Sequence, residues 1–313
     1  MRPSCAMGKK SVRDMFKRLH IYFKERYPIL PRLVLGGIVF GEIHFIILLN
    51  EGITKFQIGI QEFIGAFTVF AFLLWLRIAD DLKDFETDKV LFPDRPLADG
   101  RVYKKDVVII CAIVEAVALV LNFLFLNNFV FCMILYFYGY LMSKWFFQKA
   151  KIQPSLPLAL VTHNPVQMFV NLYIISFTVI KYHLPFVTIA TVMALWTLYF
   201  PALIWEVSRK IKAPKDENDY TTYSKLFGYR KSTRFVLILT IVDIITNIIL
   251  VWRLNKISVA VLILLVSWMT WKFVQFIKDP EQFVLVDKVE RYTYLQESTM
   301  LLTIVVFLLV GKI

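Results

Sequence analysis

The amino-acid sequence predicts an all-α, polytopic membrane protein. Of its 313 residues, 58% are hydrophobic, whereas soluble domains are roughly half apolar. Apolar segments recur along the chain at the length of about 17–25 residues that a membrane-spanning helix needs. The formal net charge is +12, and the basic residues lie between the apolar segments. Such a charge would suggest nucleic-acid binding in a soluble protein, but here it indicates membrane topology, and no nucleic-acid partner is expected.

Nine apolar segments predict nine transmembrane helices. They lie near residues 33–50, 62–79, 106–126, 128–147, 155–179, 184–206, 234–252, 256–277 and 298–312. Asn127-Asn128 marks the break between the third and fourth, and Pro165 predicts a kink in the fifth. Residues 1–31 form a basic amphipathic segment suited to the membrane interface, and 32–313 form the membrane domain. Because acidic loops follow the second and sixth helices, we expect two similar four-helix halves around a central cavity.

The distribution of basic residues predicts the orientation of the chain in the lipid bilayer. With nine spans, 31 of the 36 Lys and Arg residues fall on one side. That side holds the N-terminal segment and the loops near 77–105, 144–151, 206–234 and 272–291. The positive-inside rule places this side in the cytoplasm. The N-terminus and both acidic loops are therefore expected to be cytoplasmic, where the basic side chains meet anionic lipid headgroups.

The second apolar segment leads directly into a loop that is rich in carboxylates. Asp81, Asp84 and Asp88 follow the spacing i, i+3 and i+7, which places them on one face of a helix, and Asp80 adjoins them. Clustered carboxylate oxygens are typical ligands of Mg²⁺, which proteins often share with phosphate groups. The sequence therefore predicts a Mg²⁺–diphosphate site at the mouth of a membrane helix, with these four aspartates as metal ligands.

The loop after the sixth segment also combines carboxylates with cations. Its candidates for a second metal site are Glu206, Asp216 and Asp219. Guanidinium and ammonium groups bind phosphate oxygens, and arginine does so with two parallel hydrogen bonds. The candidate diphosphate-binding cations of the two loops are Arg77, Arg95, Arg209 and Lys210.

One run of residues resembles the signature of a known family. The run Asp80-Asp81-x-x-Asp84-x-x-x-Asp88, followed by Arg95-Pro96-Leu97-x-x-Gly100, resembles the first signature of the UbiA superfamily of intramembrane prenyltransferases. Asp80 stands where that family usually has Asn. The family's second signature, Asp-x-x-x-Asp, is absent here, because Glu206 is followed four residues later by Lys210.

The resemblance implies a nine-helix fold, a Mg²⁺ cofactor and an isoprenoid diphosphate substrate. It also implies that Tyr140 and Lys144, at the end of the fourth segment, contact the diphosphate. The candidate catalytic residues are then Asp81, Asp84, Asp88 and Lys144.

Three functions are compatible with these features. The first is an integral-membrane prenyltransferase that ionises an isoprenoid diphosphate with Mg²⁺ and transfers the prenyl group to a small-molecule acceptor, of which aromatic compounds are one class. The second is a UbiA-type terpene cyclase, in which the double bonds of the prenyl chain capture the cation. The third is a transporter that uses the acids within the spans, Glu42, Glu115 and Asp243, but it leaves the Arg95-Pro96-Leu97 run unexplained.

Overall fold

The computed structural model describes residues 4–217 and 221–311, with side chains from residue 14 onward, and these residues form an all-helical protein without strands. The helices, in chain order, are α1 (Ser4–Arg26), α2 (Ile29–Asn50), α3 (Ile60–Lys83), α4 (Phe85–Leu91), α5 (Lys104–Phe125), α6 (Phe129–Ser143), α7 (Lys149–Ile152), α8 (Leu156–His163), α9 (Val166–Lys181), α10 (Ile189–Trp196), α11 (Tyr199–Ser208), α12 (Tyr223–Phe227), α13 (Tyr229–Val251), α14 (Lys256–Lys278) and α15 (Leu285–Val310).

The described helices confirm a multipass membrane protein. Within the ranges covered by the structure, eight helices are long and apolar enough to cross a bilayer, with α8–α9 and α10–α11 each counted as one interrupted helix. The remaining predicted span corresponds to α6, an apolar helix of 15 residues. Helix α15 begins at Leu285 rather than near residue 298. The charged residues before position 298, because of which we predicted a later start, occupy the first turns of this helix.

Two spans are interrupted where a proline removes a backbone donor. Pro165 separates α8 from α9, as the sequence predicted. Pro201 has the same effect between α10 and α11, because its nitrogen cannot donate to the carbonyl of Thr197 four residues earlier. Asn171 of α9 satisfies the freed group: its Nδ2 donates to the Thr197 carbonyl oxygen at 2.5 Å. Non-helical backbone at membrane depth persists only where such partners are available.

The chain divides into two compact units. The first comprises the residues up to Gly41 together with Ile58–Phe147, and the second comprises Glu42–Gln57 together with the chain from Gln148. In the first unit, side chains of α1, α3 and α5 form one buried cluster. In the second, α11, α13, α14 and α15 contribute to another. The predicted division between residues 31 and 32 lies near the start of α2 and stays a prediction.

Helix α1 packs against protein along the face that we expected to meet the bilayer. Leu19 and Tyr22 are buried in the cluster with Leu74 and Ile78 of α3, whereas Phe16 is 63% exposed. The apolar stripe of this basic helix is therefore largely buried within the first unit, and Arg26 near its end binds Asp81 of α3.

Candidate functional site

The Asp-rich loop is a bent continuation of α3. The helix ends at Lys83, Asp84 adopts φ −96° and ψ 6°, and α4 begins at Phe85. Backbone hydrogen bonds nevertheless continue across the bend, since the N–H of Asp84 donates to the carbonyl of Asp80 at 2.9 Å and that of Asp88 to Asp84 at 2.8 Å. The helical spacing of the aspartates is thus retained through the loop.

Asp81 is the most heavily engaged carboxylate of the loop. It is 5% exposed, and the Tyr22 hydroxyl donates to it at 2.8 Å. Arg26 and Arg77 each direct an Nη2 group at its Oδ1, at 2.7 Å and 2.5 Å. Burial, followed by the neighbouring Asp81 charge, raises the pKa of Tyr22 well above its ordinary value, so this phenol remains a neutral donor.

Two further aspartates have local cationic partners. Arg95 donates from Nη1 to Asp88 at 2.5 Å, and its guanidinium lies 4.0 Å from the centroid of the Phe92 ring. Lys83 forms an ion pair with Asp80 at 2.9 Å. Arg95, which the sequence analysis proposed as a diphosphate-binding cation, binds Asp88 in the structure, and its contact with a diphosphate stays a prediction.

Asp84 differs from the other three aspartates. Among the described residues, its carboxylate has no ion-pair partner. Burial raises its pKa above the ordinary value, Lys83 opposes that shift, and the charges of Asp80, Asp88 and Asp81 add to it. A carboxylate that is half-buried beside three others is stabilised by any cation that enters the cluster.

The Arg95-Pro96-Leu97 run forms one wall of a small pocket beside the aspartates. The pocket is lined by Tyr22, Arg26, Asp81, Asp88, Arg95 and Leu97, among others. Leu97 is buried and anchors the run in the core of the first unit. Gly100 turns the chain with φ +83°, a conformation that side chains disfavour. The signature residues therefore shape the wall and aim Arg95 at Asp88.

Lys144 and Tyr140 lie at the end of α6. Both are exposed, and the Lys144 ammonium lies 6.0 Å from the centroid of the Tyr140 ring. The turn that follows, Trp145–Phe147, has positive φ at all three residues. The ammonium of Lys83 sits 4.7 Å from the centroid of the Trp145 ring, so this strained turn contacts the end of α3. The contact of Lys144 and Tyr140 with a diphosphate stays a prediction.

In the second loop, the predicted metal ligand Glu206 pairs with both predicted diphosphate-binding cations. Arg209 Nε lies 2.6 Å and Lys210 Nζ 2.9 Å from its carboxylate oxygens. Asp216 is exposed in a 3-10 turn, and Asp219 lies outside the described residues. The structure thus joins Glu206, Arg209 and Lys210 into one charged group at the end of α11.

Sequence reasoning missed the carboxylate that orders this loop. Glu217 accepts hydrogen bonds from the hydroxyls of Thr222, at 2.8 and 2.9 Å, and of Ser224. Tyr223 between them is buried, and burial, followed by the charge of Glu206, raises its pKa to about 12. The close succession of hydroxyls after an acidic residue was the only signal in the sequence.

Asp243, an acid within a span of the second unit, is held by neutral donors. Asp243 is fully buried, and it accepts from Gln296 Nε2 at 2.7 Å and from Asn247 Nδ2 at 2.9 Å. The Thr197 hydroxyl in turn donates to Asn247 Oδ1 at 3.0 Å. In the first unit, Glu115 accepts from the Trp75 indole at 2.9 Å. Asp243 and Glu115 thus have partners that account for their burial.

The four aspartates of the first loop fit Mg²⁺ by donor type. All are hard oxygen ligands within mutual electrostatic range, and Asp84 carries charge that a cation would relieve. In the arrangement described here, three of them are occupied by Lys or Arg, and no three acidic, His or Cys side chains of the described residues are grouped closely enough to hold one ion. A metal would therefore have to exchange with these cations.

Comparison with known proteins agrees with the fold. The sequence model described as the UbiA prenyltransferase family matches residues 54–283. No curated protein matches the chain. A solved structure from work on digeranylgeranylglyceryl phosphate synthase in membranes is similar to the chain, with a TM-score of 0.63 and 17% sequence identity over 92% of this chain and 98% of that one. Since the family match spans most of the chain and includes both acidic loops, the chain belongs to the UbiA prenyltransferase family.

Proposed function

We propose that this integral membrane protein is a Mg²⁺-dependent prenyltransferase that ionises an isoprenoid diphosphate and transfers the prenyl group to a small-molecule acceptor. The observation that carries the proposal is the cluster of Asp80, Asp81, Asp84 and Asp88 with arginines at the end of membrane helix α3. Family membership supports the reaction class, and the residues of this cluster support the diphosphate chemistry.

The aspartates would hold the metal, which when bound neutralises charge that develops on the diphosphate leaving group. Asp84 is the natural first ligand, because it has no ion-pair partner among the described residues and lies among other carboxylates. Asp81 and Asp88 would join it as their arginines turn to the phosphate oxygens. Asp80 is more exposed and completes the set of candidates.

The cations of the cluster would bind the diphosphate. Arg77 and Arg95 contact Asp81 and Asp88 through one Nη group each, and a guanidinium carries five donors. Each can therefore reorient toward a phosphate oxygen with charge-assisted hydrogen bonds. The indole and phenyl rings of α3 and the apolar spans beyond the cluster would exclude water from the carbocation, which water otherwise captures.

Glu206, Arg209 and Lys210 are the candidates for a second charged site. Glu206 pairs with the cations at i+3 and i+4, so this loop, like the first, balances a carboxylate with neighbouring cations. We include Asp216 and Asp219 as further candidate metal ligands, and Tyr140 and Lys144 as candidate diphosphate contacts.

The test is a product analysis with the purified full-length protein in lipid nanodiscs. Prenyl diphosphates of increasing length are supplied with and without aromatic acceptors, and with Mg²⁺ or a chelator, and mass spectrometry identifies the products. A prenylated acceptor that forms only with Mg²⁺ supports the proposal. A cyclic hydrocarbon formed without any acceptor would instead establish a terpene cyclase.

A matched pair of variants assigns the reaction to the Asp-rich cluster. Asp84→Asn removes a proposed metal ligand and is expected to lower diphosphate release about a hundredfold, since metal stabilisation of the leaving group is worth several kcal/mol. Asp99→Asn alters an exposed carboxylate of the same loop that pairs with Arg101, and it should retain near wild-type activity. Unchanged Mg²⁺-dependent diphosphate release by Asp84→Asn would refute the assignment.

A further inference from the structure

Helix α1 reaches the Asp-rich cluster with two side chains, Tyr22 and Arg26, that were not predicted to lie there. Arg18, Tyr22 and Arg26 follow the spacing i, i+4 and i+8, so they share one face of the helix. Arg18 binds Asp106 at the start of α5, with Nε 2.5 Å from Oδ2. Tyr22 and Arg26, one and two turns later, both donate to Asp81. One end of the contact face is thus structural, and the other lies within the proposed site.

The position of Arg26 is that of a site residue rather than of a peripheral anchor. Its side chain is 17% exposed and lines the pocket together with Asp81, Asp88 and Arg95. Arg26 and Arg77 share the same Asp81 oxygen, while Arg95 occupies Asp88. Three guanidinium groups therefore meet two buried carboxylates at this pocket. Asp81 is thus shared by two guanidinium groups, and a diphosphate offers further acceptors for the donors of Arg26.

We infer that Arg26 is a diphosphate-binding residue, and that α1 is for this reason a part of the substrate site. The inference rests on the proposed function for the identity of the anion. Without substrate, Arg26 neutralises Asp81 with the help of the Tyr22 hydroxyl. When Asp81 takes up a cation, Arg26 would be free to donate to the phosphate oxygens.

The experiment compares Arg26→Gln with Arg18→Gln in the full-length protein. Both variants remove one arginine of α1 that pairs with a buried aspartate, but only Arg26 lines the pocket. Binding of inorganic diphosphate is measured by calorimetry with and without Mg²⁺, and the KM and kcat for a prenyl diphosphate are measured separately. Melting temperatures show that both variants are folded.

For Arg26→Gln we expect diphosphate affinity to fall by about ten- to a hundredfold, which is the scale of a lost hydrogen bond to a charged group, with a matching rise in KM. Arg18→Gln should change either quantity less than about threefold. Arg26→Lys keeps the charge but loses the planar fork, so its affinity should lie between that of Arg26→Gln and that of the wild type.

The outcomes separate this inference from the proposed function. Equal effects of the two Gln variants would show that Arg26 only docks α1. Tighter diphosphate binding by Arg26→Gln would show that α1 obstructs the site, and would also overturn the inference. Diphosphate binding that depends on Arg26 in a protein that transfers no prenyl group would uphold the inference while refuting the transferase. A wild-type protein that binds no diphosphate would refute both.

Discussion

The contact between α2 and α3 offers a sharp test of the packing in the first unit. Gly36 of α2 lies against Phe70 of α3. A Cβ atom at this position would meet the Cβ of Phe70 at 2.9 Å and its backbone Cα and N at 3.0 Å. Phe70 is 6% exposed, and the backbone of α3 cannot retreat as a flexible side chain could. A Cβ atom at the neighbouring Gly37 would have no neighbouring atom within 4 Å.

The two glycines therefore predict opposite results for the same substitution. Each Gly→Ala change gains about 1 kcal/mol of helix propensity. At Gly36 this gain is opposed by an overpacking cost of about 1–3 kcal/mol, because the helices must separate. Gly37→Ala should be neutral or stabilising, and Gly36→Ala should be less stable than it by about 1–3 kcal/mol. For a chain of this size that difference corresponds to about 2–6 °C in melting temperature.

The assay is thermal unfolding of the two single variants in the same detergent, followed by fluorescence-detected size-exclusion chromatography. Comparing Gly36→Ala with Gly37→Ala, rather than each with the wild type, cancels the effects of helix propensity and of detergent. If both alanines shift the melting temperature equally, then α2 and α3 do not approach at Gly36 as the structure has them, and the close-packing argument fails.

Two further predictions concern buried charge. Because the pKa of Asp84 is raised on folding, its ionised form costs stability at neutral pH. Asp84→Asn should therefore melt above the wild type at pH 7 although its diphosphate release is expected to fall, and the gain in stability should vanish as pH falls to the ordinary carboxyl value of about 4. A gain in stability that grows in acid contradicts this. In the second unit, Asp243→Leu removes the acceptor of the Gln296 and Asn247 amides and should lower the free energy of unfolding by about 1 kcal/mol. Asp243→Asn should lower it less, and the same melting assay measures both variants.

The sequence allowed the helices to be predicted better than their interruptions. The apolar segments, the break at Asn127-Asn128 and the kink at Pro165 all follow from local chemistry, and the structure confirms them. The gap between α10 and α11 was missed although Pro201 signals it, because our prediction considered only the length of the apolar run. Its stability depends on Asn171 of another helix, a partner that local reasoning cannot supply.

The candidate site shows the same division between local and distant partners. Lys83, Arg77 and Arg95 lie three, four and seven residues from the aspartates that they bind, so a helical reading places them near the carboxylates. Arg26 and Tyr22 are more than fifty residues from Asp81, and only the packing of α1 on α3 brings them there. Sequence reasoning assigned α1 to the membrane interface. The apolar stripe of an amphipathic helix can pack against lipid or against protein, and the sequence alone does not distinguish the two.

Under the proposed function, the charge balance of the Asp-rich cluster would keep the site stable before substrate arrives. Four carboxylates, Asp80, Asp81, Asp84 and Asp88, face four cations, Lys83, Arg26, Arg77 and Arg95, in the described structure. A metal cation and a diphosphate anion that enter together bring opposite charges, so the net charge of the site changes little. The carboxylates can then pass from arginine to metal, and the arginines from carboxylate to phosphate, without an unpaired charge being buried. This exchange requires that metal and diphosphate bind cooperatively, and in the variant that lacks Arg26 the cooperativity should weaken.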